Sequence, residues 1–247
     1  MKQGIFTVLQ NEAIARDVYR MILRGDTAAM TAPGQFVNLK IEGCYLRRPI
    51  SVCDCESDRL TLIYKTVGEG TKRMSTYAPG HEIDLLTGLG NGYTTHQSGD
   101  SPLLIGGGVG VPPLYGLCRR LVREGKHPTV ILGFNSAPDV FYEEAFRVLG
   151  AEVLVTTADG SYGLRGFVTD AMPGVPYTYF YTCGPEPMLK AVFGASVTSG
   201  QFSFEERMGC GFGACMGCSC KTVTGYKRIC REGPVLKKEE ILWETHR

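Results

Sequence analysis

The chain has 247 residues and a formal charge of +1, with 26 basic and 25 acidic side chains mixed along its length. It is long enough for two compact domains, and it lacks the basic stripe of a nucleic-acid binder. Ten cysteines without a basic, apolar leader in Met1–Gln10 point to metal-binding thiols in the cytoplasm rather than to disulfides, and the uncharged run from Ser101 to Cys118 is too short and too rich in Gly and Pro to span a membrane.

Short alternating stretches come first: Ile5 to Leu9, Tyr19 to Leu23, Phe36 to Ile41, Leu60 to Tyr64 and Glu82 to Leu86. Strands so closely spaced predict an antiparallel barrel or sandwich. Within this region Arg47-Arg48-Pro49-Ile50-Ser51 precedes a strand, and Gly68-Glu69-Gly70-Thr71 precedes a short helical stretch from Lys72 to Tyr77. An arginine beside a hydroxyl can neutralise a diphosphate, and a glycine-threonine helix start can lie under the same phosphates. A solvated arginine pair and an ordinary turn explain the same residues.

Beyond the loop Gly88 to Gly99, strand and helix alternate. Leu103–Ile105, Thr129–Phe134, Glu152–Thr157 and Tyr177–Thr182 read as buried strands, with helical spacing at Leu114 to Val122 and from Val140 to Leu149. That order predicts a doubly wound parallel sheet. Gly106, Gly108 and Gly110 lie between the first of these strands and its helix, where backbone can approach a pyrophosphate, although Val111 occupies the place of the last glycine in the usual dinucleotide fingerprint. The second strand ends in Gly133-Phe134-Asn135-Ser136 with no basic residue for a 2′-phosphate, which favours NAD over NADP. Cys183-Gly184-Pro185 follows a strand at the edge where open sheets bind ligands; a plain strand end is the alternative.

At the C-terminal end Cys210, Cys215 and Cys218 stand at spacings x4 and x2, and Cys230 follows after eleven intervening residues. This is the plant-type order for a [2Fe-2S] cluster, with Gly209, Gly211, Gly213 and Gly217 letting the loop turn around the sulfurs. Structural zinc more often uses two separated Cys-x-x-Cys pairs. Lys221–Val223 and Tyr226–Ile229 read as a hairpin returning Cys230 to the loop, and Cys220 stands as a rival third ligand to Cys218. Cys44, Cys53, Cys55 and Cys118 read as small core residues, and His81, His96, His127 and His246 have no companions at ligand spacing.

Arg47-x-Pro49-x-Ser51, Gly68-x-Gly70-Thr71, the Gly106 to Pro113 run and Cys183-Gly-Pro resemble, in this order, the ferredoxin-NADP reductase superfamily. With Glu205 to Met208 leading into the four-cysteine loop, the chain from Gly4 to Trp243 is similar to the electron transfer subunits of type B dihydroorotate dehydrogenase. The resemblance implies a multidomain β plus α/β fold: an FAD-binding β-barrel at 1–97, an NAD-binding α/β domain at 98–204 and a [2Fe-2S] subdomain at 205–247. It implies that Arg48, Pro49, Ile50, Ser51, Ile63, Tyr64, Lys65, Gly70 and Thr71 hold FAD, that Cys183 lies beside the nicotinamide, and that Cys210, Cys215, Cys218 and Cys230 hold the cluster. The implied partner is an FMN-containing catalytic subunit in a heterotetramer, which oxidises dihydroorotate in pyrimidine biosynthesis while this chain passes electrons to NAD+. The rivals are a diaphorase-like subunit of a hydrogenase or transhydrogenase and a non-enzymatic zinc or redox-sensing module.

Overall fold

A computed structural model of the chain describes residues 1–243, so His246 lies outside it. Six strands build the first domain: β1 (Lys2–Ala15), β2 (Val18–Arg24), β3 (Phe36–Leu39), β4 (Arg48–Glu56), β5 (Arg59–Lys65) and, after helix α1 (Glu69–Ser75), β6 (Glu82–Leu89). They close into an antiparallel barrel in the order β1-β2-β5-β4-β3-β6. Period-two alternation drives the closure. Leu60, Leu62 and Tyr64 of β5 fill the interior with Val37 and Leu39 of β3, whereas Ile63 of β5 and Phe36 of β3 enter cores outside the barrel.

The second domain runs β7 (Pro102–Gly107), α2 (Pro112–Arg123), β8 (Thr129–Phe134), α3 (Glu143–Val148), β9 (Glu152–Thr157), β10 (Leu164–Arg165), β11 (Tyr179–Cys183), α4 (Glu186–Ala195) and β12 (Gly200–Ser203). Its sheet has the order β10-β9-β8-β7-β11-β12 with parallel pairing. Every residue of β7 and β11 is buried, as central strands covered on both faces require. The chain leaves β7 toward β8 on one side and returns at β11 on the other. This reversal opens a crevice at the carboxyl ends of the two strands.

In the C-terminal part, β13 (Ser219–Thr222) and β14 (Gly225–Arg228) pair as the expected hairpin. β15 (Val235–Lys237) then joins β12 antiparallel, so the segment 205–243 also supplies the seventh strand of the nucleotide sheet. Asn91 ties it to the interdomain linker: its Nδ2 donates to the Glu232 and Val235 carbonyls and its Oδ1 accepts from the Val235 N–H. Trp243 packs edge-on to Phe193 and Phe202.

Two helix starts differ from expectation. The second-domain helix begins at Glu143 rather than Val140 because Tyr142 adopts a left-handed backbone (φ +65°). The barrel helix begins at Glu69 rather than Lys72, since the Thr71 hydroxyl accepts from the Val67 and Gly68 N–H groups and starts the turn earlier. No helix among the described residues is long and apolar enough to cross a membrane.

Candidate functional site

Gly106 and Cys183 are register partners on either side of the strand reversal. A cleft of about 580 Å³ opens there between sheet and barrel, lined by Gly107, Gly108, Gly110 and Gly184, and from the barrel by Val18 and Lys65. A Cβ on Gly110 would lie 2.2 Å from the Cys183 carbonyl oxygen, so this loop reaches the β11 turn only as glycine. The departure at Val111 now has a physical reason. Val111 is fully buried, and the close helix-to-strand packing falls on Gly106, where a Cβ would stand 3.0 Å from Val111 and 3.1 Å from Leu114. Gly110→Ala is expected to raise the KM for NADH in dye reduction about 10- to 100-fold. An unchanged KM would remove the loop from dinucleotide binding.

Cys183 itself is placed differently from the ligand-facing thiol expected. It is buried, with its thiol beside Tyr93 and Ser203, while the adjacent Gly184 and Pro185 line the cleft. Burial pushes its pKa up, with the nearby Glu205 charge adding to the effect, so the group stays a protonated thiol. Glu205 is a cleft residue that motif reading did not assign. Although the residue as a whole is open to solvent, protein packed around its carboxyl pushes its pKa up. Its only sequence signal was its position just before the cysteine loop.

On the barrel, the two adjacent arginines separate into different tasks. Arg47 Nη2 bonds both Asp84 carboxylate oxygens at 3.0 Å, and its Nη1 donates to the carbonyls of Asn38 and Asp84. Arg48 has no carboxylate partner among the described residues. Its guanidinium lies against Gly70 so closely that a Cβ there would come within 2.5 Å of Nε, which brings the two weak motifs into one cradle at the start of α1. Alternation divides the remaining residues. Ile50 and Tyr64 pack with the barrel interior, where the Tyr64 hydroxyl donates to Asn11 Oδ1. Ser51 is half-buried on the opposite side of β4 from Ile50, Ile63 joins the core shared with the second domain, and Lys65 reaches the cleft. Pro49 faces Asn38 across the β3–β4 pair, and Thr71 spends its hydroxyl on the α1 cap. A cation over a glycine turn would suit the phosphates of a flavin dinucleotide.

The cysteine loop turns through Gly211 (φ +77°) and Gly213 (φ +93°), and through Met216 (φ +60°), a left-handed backbone that side chains seldom adopt. No three described His, Cys, Asp or Glu side chains converge on one point as a single-ion site. The thiols meet instead as two pairs, Cys210 with Cys215 and Cys218 with Cys230. Four thiols crowded about one loop are the donor set of a two-iron cluster. Burial opposes the Cys210 thiolate, but the N–H groups of Phe212, Cys215 and Ala214 outweigh it and lower its pKa to about 6. Burial and the neighbouring Cys218 and Cys210 push the Cys230 thiol up to about 12. Thiols this crowded shed their protons to a cation, which is how metal binding couples to the fold. The Cys230 N–H points at Cys218 Sγ (3.4 Å). Cys220, on β13, packs half-buried against the C-terminal core. Arg228 steadies the loop by donating to the Gly213 carbonyl (2.6 Å) while held by Glu232.

Comparison with known proteins reaches every part of this arrangement. Residues 205–242 match the family model described as the iron-sulfur cluster binding domain of dihydroorotate dehydrogenase B, and residues 104–193 match the oxidoreductase NAD-binding domain. The chain is 44% identical to the dihydroorotate dehydrogenase B (NAD(+)) electron transfer subunits of Shouchella clausii and Bacillus pumilus, over 98% of each chain. Among solved structures it is similar to a chain of the NADH-dependent reduced ferredoxin-NADP oxidoreductase, studied for flavin-based electron bifurcation (TM-score 0.88, 27% identity, 98% of this chain and 91% of that one). It shares a fold with a Neisseria gonorrhoeae ferredoxin NADP+ reductase holding FAD and NADP (TM-score 0.69, 16% identity, 79% of this chain and 90% of that one).

Proposed function

The chain belongs to the family of electron transfer subunits of NAD-linked dihydroorotate dehydrogenase B, and on that premise we propose that it carries electrons from a catalytic partner subunit through [2Fe-2S] and FAD to NAD+. Near-complete coverage at 44% identity carries this reading. When bound, the cluster passes single electrons and FAD links them to a two-electron hydride exchange.

The chain's own residues supply position. Gly108, Gly110 and the α2 N-terminus receive the NAD pyrophosphate, with Gly106 letting α2 pack close against β7. Arg48 and Gly70 hold the FAD phosphates, with Ser51 on the outward side of β4, Ile63 in the core behind it and Lys65 in the cleft. Cys210, Cys215, Cys218 and Cys230 ligate the cluster. The boundaries we assign are 1–97, 98–204 and 205–247, the last contributing β15 to the preceding sheet. No residue set here is assigned to dihydroorotate, so its oxidation falls to the partner, which we take to be an FMN-containing subunit in a cytoplasmic heterotetramer. Co-expression with that subunit is expected to give dihydroorotate-dependent NAD+ reduction. Activity only with ferredoxin or hydrogen would overturn the reading and favour a bifurcating or hydrogenase-linked complex, the alternative supported by the 0.88 TM-score.

The cluster loop also offers the docking edge. Phe212 and Met216 are 40% and 55% exposed beside the thiols. Phe212→Glu with Met216→Glu is expected to weaken association with the catalytic subunit about 10- to 100-fold without affecting NADH–dye activity. Unchanged affinity in a titration of the two subunits would move the interface elsewhere.

A further inference from the structure

Asn38 stands in the middle of β3 and is almost wholly buried. Its neighbours on β3, Val37 and Leu39, fill the barrel; Asn38 faces the other way. Across the pair with β4 it opposes Pro49, and the next outward pair is Phe36 with Ser51. Across the pair with β6 it opposes Leu86, which packs in the same core as Phe36, Cys218 and Cys230. One barrel face therefore carries the flavin strand at one side and the floor of the cysteine loop at the other. Asn38 is the polar residue between them.

Its Nδ2 donates to the Cys210 carbonyl at 3.3 Å, and Gly211 comes so near that a Cβ there would lie 2.4 Å from Nδ2. Among the described residues this is the only side-chain hydrogen bond from the six barrel strands to the Cys210–Cys218 loop. The Asn38 main chain is fixed in turn, since Arg47 bonds its carbonyl while gripping Asp84 on β6. Asn38 Oδ1 is buried with no partner among the described residues. A half-satisfied buried amide costs stability, so an apolar side chain of the same shape would serve the barrel at least as well. The contact that asparagine alone supplies is the one to the first cluster cysteine.

Resting on the cluster assignment above, we infer that Asn38 is a positioning residue that sets the cluster loop against the flavin strand, and so sets the rate at which electrons cross between the two groups. Its amide holds the Cys210 carbonyl, which orients the Cys210 sulfur and the N–H groups of Ala214 and Cys215 directed at it.

The test uses the loaded protein with Asn38→Leu, which keeps the branched heavy-atom outline with somewhat more bulk and removes the donor, and Asn38→Asp, which keeps the shape and opposes a carboxylate to the Cys210 carbonyl. Both variants are expected to retain the parent's FAD and iron content and its NADH–dye activity. NADH-driven bleaching of the cluster should slow about tenfold or more. The electron paramagnetic resonance spectrum of the reduced cluster should shift, and amide hydrogens of the 208–218 peptide should exchange faster. Bleaching rate and spectrum matching the parent in both variants would overturn the inference, as would joint loss of FAD and iron, which marks a plain structural role. A parent without a cluster would instead remove the assignment beneath it, and that is read before any variant is made.

Discussion

Cys230→Ser should leave FAD content and NADH–dye activity within about twofold of the parent while dihydroorotate-driven NAD+ reduction falls on the order of a thousandfold. Cys230 is delivered by the β13–β14 hairpin to a buried position beside Cys218, whose sulfur accepts its N–H. A serine oxygen there is a harder and poorer iron ligand than thiolate. The residues assigned to FAD and NAD lie on the barrel and the sheet edge, so flavin reduction by NADH does not depend on the cluster. Visible absorbance, iron analysis and the two assays read the result together. Survival of the coupled reaction with iron intact would show that Cys230 is not a ligand. Cys220→Ser is the matched control and is expected to stay near the parent, because the thiol pairing engages Cys218 with Cys230.

Arg48→Ala should weaken FAD binding about 10- to 100-fold, since each charge-assisted bond to phosphate contributes about 1.5–3 kcal/mol. Arg47→Ala should instead lower stability by about 1–2 kcal/mol with FAD affinity preserved, because its half-buried pairing with Asp84 joins β3 and β6. Flavin fluorescence during reconstitution of the apoprotein measures the first effect and chemical denaturation the second. The assignment fails if Arg47→Ala sheds FAD and Arg48→Ala retains it.

The pair also shows where sequence reading stops. Arg47 and Arg48 are identical in type and adjacent, so composition and spacing cannot tell a strand clamp from a phosphate ligand. Asp84 on another strand holds Arg47, and Gly70 on α1 lies against Arg48. Cys183 is a similar case. Its motif and strand-end position were legible, but the direction of its side chain follows from the period-two geometry of β11 and the covering residues Tyr93 and Ser203. The two-sided burial of β3 had no legible cause, because the covering layer comes from the C-terminal segment.

By itself the sequence determined the features whose partners are near neighbours along the chain: the alternating strands of the barrel, the strand and helix order of the nucleotide domain, the glycine loop after β7, and a cysteine spacing suited to a two-iron cluster. Spacing is informative there because a few covalent bonds set which side chains can converge. Tertiary structure alone decided which arginine is clamped to Asp84, that β15 completes the sheet, and that Asn38 meets Cys210 from 172 residues away. At that separation the chain imposes almost no preference on who meets whom, and only the closure of the barrel and the packing of the C-terminal segment against it bring the two together.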